Sequence, residues 1–183
     1  MFPIKRKCTV VGLDGAGKST LVRRLVYGLD DSVNSHTNER LPPPPPTVGF
    51  QAHPHTRIHA NVRLKLAIMD MSGNPTTRHL WFMYIPASDA VIVVVDATDR
   101  TRIEIVRREL AEIMRTSSVV NGQPVLVLCN KMDGCDPMSP VEIATLVGME
   151  SFKDRNWFMC GCSAEIGHGV SEGLMWLEGV LDE

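Results

Sequence analysis

The stretch Gly12-Leu13-Asp14-Gly15-Ala16-Gly17-Lys18-Ser19 decides the fold. It fits the pattern GxxxxGK[ST] and stands where that pattern must stand, after a β-branched run from Lys7 to Val11 and before a helical one. There the glycines let successive backbone N–H groups turn inward around phosphate oxygens, and the following helix adds the positive end of its dipole. Asp14, Gly15, Ala16, Gly17, Lys18, Ser19 and Thr20 are therefore the expected phosphate cradle. Lys18 is expected to reach the β- and γ-phosphates, and the Ser19 hydroxyl to ligate Mg²⁺. Taken alone, the loop says only that a nucleoside triphosphate is bound.

Outward from the loop, strand and helix patterns alternate. Ser19 to Tyr27 carries Leu21, Val22, Leu25 and Val26 at helical spacing. Ala90 to Val95 and Val125 to Leu128 are unbroken apolar runs, as strands buried on both faces of a parallel sheet require. Between them Thr101 to Thr116 reads as an amphipathic helix with Ile103, Ile105, Val106, Leu110 and Ile113 on its apolar side. A last strand near Trp157 to Cys160 precedes a helix from Val170 to Leu181. Phe50 to Ile58 and Val62 to Asp70 break the rhythm as an antiparallel hairpin turning at His59-Ala60-Asn61. The pattern predicts an α/β fold in one domain over residues 1–183. Its sheet is expected to be doubly wound, six-stranded and mostly parallel, with one antiparallel edge hairpin and helices on both faces. The polar stretch Asp30 to Arg40 and the prolines Pro42 to Pro46 predict a mobile loop over 30–46 that ends in a stiff polyproline spacer. A ligand for a Pro-binding module is the second reading of those prolines.

A chain of 183 residues suits one domain with a substantial core. A net charge of −2 gives no basic field for nucleic acid. The five cysteines are odd in number and lack paired CxxC spacing, which favours reduced thiols over zinc or disulfides. The longest apolar run, Ala90 to Val95, is too short to span a bilayer. Met1-Phe2-Pro3-Ile4 has no apolar core of a signal peptide, and Phe2 stands where N-myristoylation needs glycine. The expected location is the cytoplasm.

Three further segments narrow the ligand. Asp70-Met71-Ser72-Gly73 ends an apolar strand, so Asp70 can hold Mg²⁺ and Gly73 can bring its N–H to the γ-phosphate. Asn130-Lys131-Met132-Asp133 follows a buried strand. The Asp133 carboxylate can accept from N1–H and the exocyclic amine of guanine, which adenine does not offer together, and the Lys131 stem can lie over the base. Ser163 and Ala164 follow the last strand, where the Ala164 N–H can meet the guanine carbonyl. Thr47, between the long loop and the hairpin, can supply a hydroxyl to Mg²⁺ and an N–H to the γ-phosphate. The expected cofactors are GTP or GDP with Mg²⁺.

With Pro46-Thr47-Val48-Gly49-Phe50, Leu80-Trp81 with Tyr84, Asp96-Ala97-Thr98-Asp99-Arg100 and Glu172-Gly173-Leu174-Met175-Trp176-Leu177, these segments make the chain resemble the Arf and Arf-like GTPases over nearly its whole length. Asp14, in place of the second glycine of a Ras-type loop, belongs to that likeness. Asp70-Met71-Ser72-Gly73 and Lys153-Asp154-Arg155-Asn156-Trp157 look most like the cilium-associated branch that recruits the BBSome coat. The resemblance implies a monomeric switch with slow, partner-stimulated hydrolysis. It implies exchange factors, activating proteins and effector or coat proteins that read the switch regions, with Phe50, Trp81 and Tyr84 among the contacts. It also implies peripheral attachment to membranes or the ciliary base, in vesicle or protein transport.

Three positions depart from the family pattern. Asn74 stands where the family has the glutamine that orients the attacking water, and is shorter by one methylene, about 1.5 Å. Two readings stay open: Asn74 still serves catalysis beside Gly73 and Lys18, or it leaves a hydrolysis-impaired, GTP-bound recruitment module. Met69 replaces an aromatic of the effector surface. The amphipathic N-terminal helix has no counterpart in the sequence. A P-loop nucleotide kinase is a weaker alternative, since no Arg-rich lid is apparent. His53, His55 and His59 read as a solvated edge strand rather than a metal site, Arg107-Arg108-Glu109 as a wet helix face, and Cys160 and Cys162 as thiols too few for zinc.

Overall fold

The computed structural model describes residues 4–27, 44–57, 64–119 and 122–182. Six strands form one sheet: β1 (Ile4–Val11), β2 (Phe50–Arg57), β3 (Leu64–Met71), β4 (Ala90–Asp96), β5 (Val125–Asn130) and β6 (Trp157–Gly161). Their order is β2-β3-β1-β4-β5-β6. Every neighbouring pair is parallel except β2 with β3, so the antiparallel pair lies at one edge as the sequence predicts. The turn expected at His59-Ala60-Asn61 and most of the expected loop 30–46 lie outside the described residues.

The helices are α1 (Lys18–Tyr27), α2 (Trp81–Tyr84), α3 (Ile103–Val119), α4 (Pro140–Val147) and α5 (Val170–Leu181). Strand period decides which of them each side chain meets. Ala90, Ile92 and Val94 of β4 pack with Leu21, Leu25, Leu174 and Leu177 of α1 and α5. Val91, Val93 and Val95 pack with Trp81, Leu110, Ile113 and Ile143 on the other face. A strand covered on both sides can carry no polar alternation, which is why β4 and β5 read as continuous apolar runs.

The largest departures from the sequence reading are two boundaries and one whole helix. β1 starts at Ile4, three residues before Lys7, because its charged residues are held by register with β3 from Ile4 opposite Leu64 onward. Helix α3 runs past Thr116 to Val119. Helix α4 has no counterpart in the sequence reading. Its N-cap Ser139 accepts from Glu142 N–H, Pro140 opens the first turn, and Gly148 closes it with φ 74°.

The chain leaves β1 toward β3 on one side and toward β4 on the other. The carboxyl ends of the strands beside that reversal form the crevice where an open α/β sheet binds its ligand.

Candidate nucleotide site

The loop between β1 and α1 wraps over the carboxyl end of β1, with Gly17 at φ 90°. A Cβ at Gly17 would lie 2.3 Å from Asn130 Nδ2, so only glycine fits between the loop and the segment that starts at Asn130. Lys18 is buried, and its Nζ donates to Leu13 O at 2.8 Å, across the loop. Burial lowers its pKa to about 8, against the opposing pull of the Asp70 and Asp14 carboxylates. A buried ammonium at the start of a helix, held across a glycine-rich loop, suits a polyphosphate.

Ser19, in the first turn of α1, meets Asp70 near the end of β3. Its Oγ donates to Asp70 Oδ2 at 2.7 Å and lies 3.0 Å from Thr47 Oγ1. Asp70 is buried, and its Oδ1 has no hydrogen-bond partner. Burial pushes the carboxyl above its ordinary range, and the Ser19 hydroxyl and Lys18 oppose that push. Two hydroxyls and a carboxylate with an unsatisfied oxygen form an all-oxygen donor set, which fits a hard cation of the Mg²⁺ kind.

The segment after Asp70 is drawn hard against the loop. A Cβ on Gly73 would lie 2.3 Å from Asp14 N and 2.4 Å from Leu13 C. Arg78 is buried; its Nε donates to Gly73 O at 2.8 Å, and its Nη2 lies 3.2 Å from Asp14 Oδ1. Arg102 reaches the same carboxylate oxygen at 3.2 Å. Trp81, expected among the partner contacts, is instead buried in the core and donates from Nε1 to Ser72 O at 2.8 Å, so it braces this segment from inside and offers no surface to a partner. Asn74, by contrast, is exposed, and its Oδ1 accepts from Thr76 N–H at 3.0 Å and from Thr76 Oγ1 at 2.8 Å. This ties the side chain into its own turn.

At the other end of the crevice, Asn130 bridges two loops. Its Nδ2 donates to Ala16 O at 2.8 Å, and its Oδ1 accepts from Ala164 N–H at 2.8 Å. The amide expected to meet guanine is thus held by Asn130 in this structure. Ser163 is buried, and its Oγ accepts from Ile166 N–H at 3.3 Å. Lys131 has φ 68° and donates from Nζ to Asp96 Oδ2 at 2.6 Å, which fixes its stem along one wall. Asp133 is exposed beside it.

Lys18, Ser19, Thr47, Asp70 and Gly73 gather at one end of the crevice and Ala16, Gly17, Asn130 and Ala164 at the other, while Asn74 is tied to Thr76. The sequence gives no role to Arg24, Arg78 or Arg102, and names Asp96 only within the family-like segment Asp96–Arg100. Each acts through a partner on another element, and a lone arginine or aspartate carries no spacing signal. Thr20, last in the expected cradle, is half-buried in the first turn of α1. Among the described residues no group of three or more His, Cys, Asp or Glu is placed to hold a metal; His53 is half-buried on the edge strand, and His59 lies outside the described residues. Cys160 and Cys162 are free and buried in the core.

This fold and this loop define a P-loop G domain. The sequence profile of the ADP-ribosylation factor family matches residues 3–181, and the chain belongs to that Arf family of small GTPases. It is 35% identical over 173 residues to ADP-ribosylation factor K of Dictyostelium discoideum, covering 94% of this chain and 84% of that one. It is 34% identical over 174 residues to ADP-ribosylation factor-like protein 1 of Saccharomyces cerevisiae, covering 95% and 86%. Among solved structures, the Arl6 BBS3 small GTPase of Trypanosoma brucei, with bound nucleotide analogue GppNp, superposes with a TM-score of 0.80. That match has 23% identity and covers 98% of each chain.

Proposed function

We propose that this protein is a Mg²⁺-dependent guanine-nucleotide switch whose GTP state recruits an effector or coat protein in membrane or ciliary transport. The observation that carries the reading is Asn130, whose one amide group ties the phosphate loop at Ala16 to the base loop at Ala164. In this reading Asp14 to Thr20 cradle the phosphates, and Ser19, Thr47 and Asp70 hold Mg²⁺, which would offset phosphate charge. Lys131 and Asp133 bind guanine, and Ala164, beside Ser163, gives its N–H to the guanine oxygen by sharing it with Asn130.

Hydrolysis adds water to the γ-phosphorus and breaks its bond to the β–γ bridging oxygen, giving GDP and inorganic phosphate. Lys18 and the Gly73 N–H stabilise the charge that develops on the transferred group. Loss of the γ-phosphate removes a partner of Thr47 and Gly73, which frees the residues beside them. The exposed Val48 (93%) and Met83 (69%) flank a Phe50–Tyr84 ring pair 5.1 Å apart, an apolar surface suited to a partner that reads this region. Exchange factors and activating proteins act on the same surface, and the switch itself works as a monomer.

A second reading is favoured by Asn74. Its amide oxygen is engaged by Thr76 rather than free to orient water, which supports a GTP-bound recruiter with very slow turnover. Single-turnover hydrolysis of bound GTP, native against Asn74→Gln, separates the two. The switch reading expects both near the unassisted Ras-type rate of roughly 3–5 × 10⁻⁴ s⁻¹. The recruiter reading expects a native rate lower by about 10²–10³, restored by glutamine.

A further inference from the structure

The two halves of the nucleotide crevice share a structural member that the motifs do not include. Helix α1 starts at Lys18 and Ser19, against the phosphate and Mg²⁺ side. One face of it, through Leu21, Val22 and Leu25, is buried in the core and cannot shift without disturbing α5. Arg24, six residues on from Lys18, lies about 9 Å further along the axis. There it leaves the phosphate end and reaches the base loop.

Its guanidinium meets that loop as a fork. Nε donates to Ala164 O at 2.7 Å, and Nη2 donates to Glu165 O at 2.5 Å. Two consecutive carbonyls on one planar group is an arrangement lysine cannot copy. The loop also leaves room for it: a Cβ on Gly167 would lie 2.6 Å from Arg24 Nη1, so glycine there keeps the guanidinium seated. Within the loop, Gly167 N–H donates to Ser163 O at 2.8 Å and Ser163 N–H to His168 O at 2.9 Å. The peptide units of Ala164 are thus fixed from both sides, the N–H by Asn130 and the carbonyl by Arg24.

We infer that Arg24 is a positioning residue for guanine recognition: it sets the direction of the Ala164 N–H and ties that direction to the helix that carries Lys18 and Ser19. The residue touches no part of the base. It acts through the loop, so its loss loosens the contact with the guanine 6-oxygen and leaves the Asp133 contacts in place. The inference rests on the reading of Ala164 as the partner of that oxygen.

The test is a chemical double cycle. GDP and 6-thioguanosine diphosphate differ only at position 6, where sulfur is a poor acceptor; both keep N1–H and the exocyclic amine for Asp133. Affinities of both are measured for the native chain, Arg24→Met and Arg24→Lys, in Mg²⁺, with GDP dissociation followed with and without chelator. The native chain prefers GDP. In Arg24→Met, GDP dissociates roughly tenfold faster, as expected for loss of charge-assisted hydrogen bonds. Binding of the thio analogue changes little, and the preference collapses. Arg24→Lys, which keeps the charge and one carbonyl contact, recovers part of it. The ratio of dissociation rates with and without chelator stays native, because the phosphate end is untouched. Equal native affinity for the two nucleotides overturns the Ala164 reading and this inference with it. A native preference that survives in Arg24→Met overturns the role of Arg24 and leaves the Ala164 reading standing. Equal weakening of both nucleotides marks a general structural effect and also overturns it.

Discussion

The base end and the phosphate end of the crevice are built differently. At the base end the loops are laced by backbone. Met132 N–H donates to Cys162 O at 3.1 Å, Cys162 N–H to Cys129 O at 2.8 Å, and Ala97 N–H to Asn130 O at 2.9 Å. The side chains of Asn130, Lys131 and Arg24 then add cross-links to that frame. At the phosphate end Thr47 is tied by a hydroxyl contact to Ser19, and the next backbone link is Ser72 N–H to Gly49 O at 2.9 Å. The groups that hold Thr47 are those the proposed Mg²⁺ and phosphate would engage. A recognition element gains from partners that never change; a switch needs partners that ligands can exchange. The exposed apolar residues Val48, Phe50 and Met83 lie at the exchangeable end, the surface assigned above to the proposed partner.

The sharpest way to break the contrast is to disable one end alone. Asp133→Asn removes the acceptor proposed for guanine N1–H and amine, and should lower GDP affinity on the order of 10⁴-fold while creating preference for xanthosine diphosphate. Because Asp133 is exposed, thermal unfolding of the nucleotide-free variant should match the native chain. Equilibrium titration with the two diphosphates checks it, and unchanged guanine selectivity removes the assignment. Gly73→Ala does the converse. Its new methyl would land 2.3 Å from Asp14 N and 2.6 Å from Gly12 O, both backbone atoms that cannot swing aside. Overpacking of this kind costs about 1–3 kcal/mol. That should appear as a lower unfolding midpoint of the nucleotide-free protein, with the choice between guanine and xanthine unaffected. A native midpoint would show that the close approach of the two segments is not kept in solution.

The same contrast explains what the sequence made legible. Glycines, Lys18, Ser19 and the Asn130–Asp133 segment carry fixed spacings because one loop must meet one ligand, so they can be read locally. β4 and β5 could be read because burial on both faces leaves an apolar run. Arg24 could not be separated from Arg23 beside it, since its role depends on a loop 140 residues away. Arg78 is hidden for the same reason, and so is the pairing of Asp96 with Lys131, although Asp96 itself stands in a family-like segment. The start of β1 was lost because Lys5, Arg6 and Lys7 have weak strand propensity of their own and are recruited by β3. Helix α4 was lost despite its Ser139-to-Glu142 cap, because its eight residues bury only Ile143 and Val147, too few to display a period. Asn74 could be found as a departure, but not its bond to Thr76, which depends on how the turn folds back on itself.

The smallest expected effect tests how much the lacing at the base end matters one bond at a time. Lys131 Nζ pairs with Asp96 Oδ2 at 2.6 Å, with the lysine side chain 41% exposed and the aspartate 11%. Burial pushes the Asp96 carboxyl up, but the hydrogen bonds from Lys131 and Thr98 outweigh it and hold the group below its ordinary range. A depressed carboxyl contributes stability that is complete above the unfolded-state value near 4 and disappears as pH falls through the folded one. A pair this exposed contributes about 0.2–1 kcal/mol. Asp96→Asn should therefore speed GDP release by less than about fivefold at neutral pH. It should also remove a small part of the acid sensitivity of unfolding below pH 4, seen as native and variant midpoints that converge as the pH is lowered. If the variant releases GDP as slowly as the native chain, the lysine stem is held by the backbone turn at φ 68° rather than by its ion pair. The base end would then be more rigid than its side-chain contacts suggest, and the contrast with Thr47 correspondingly sharper.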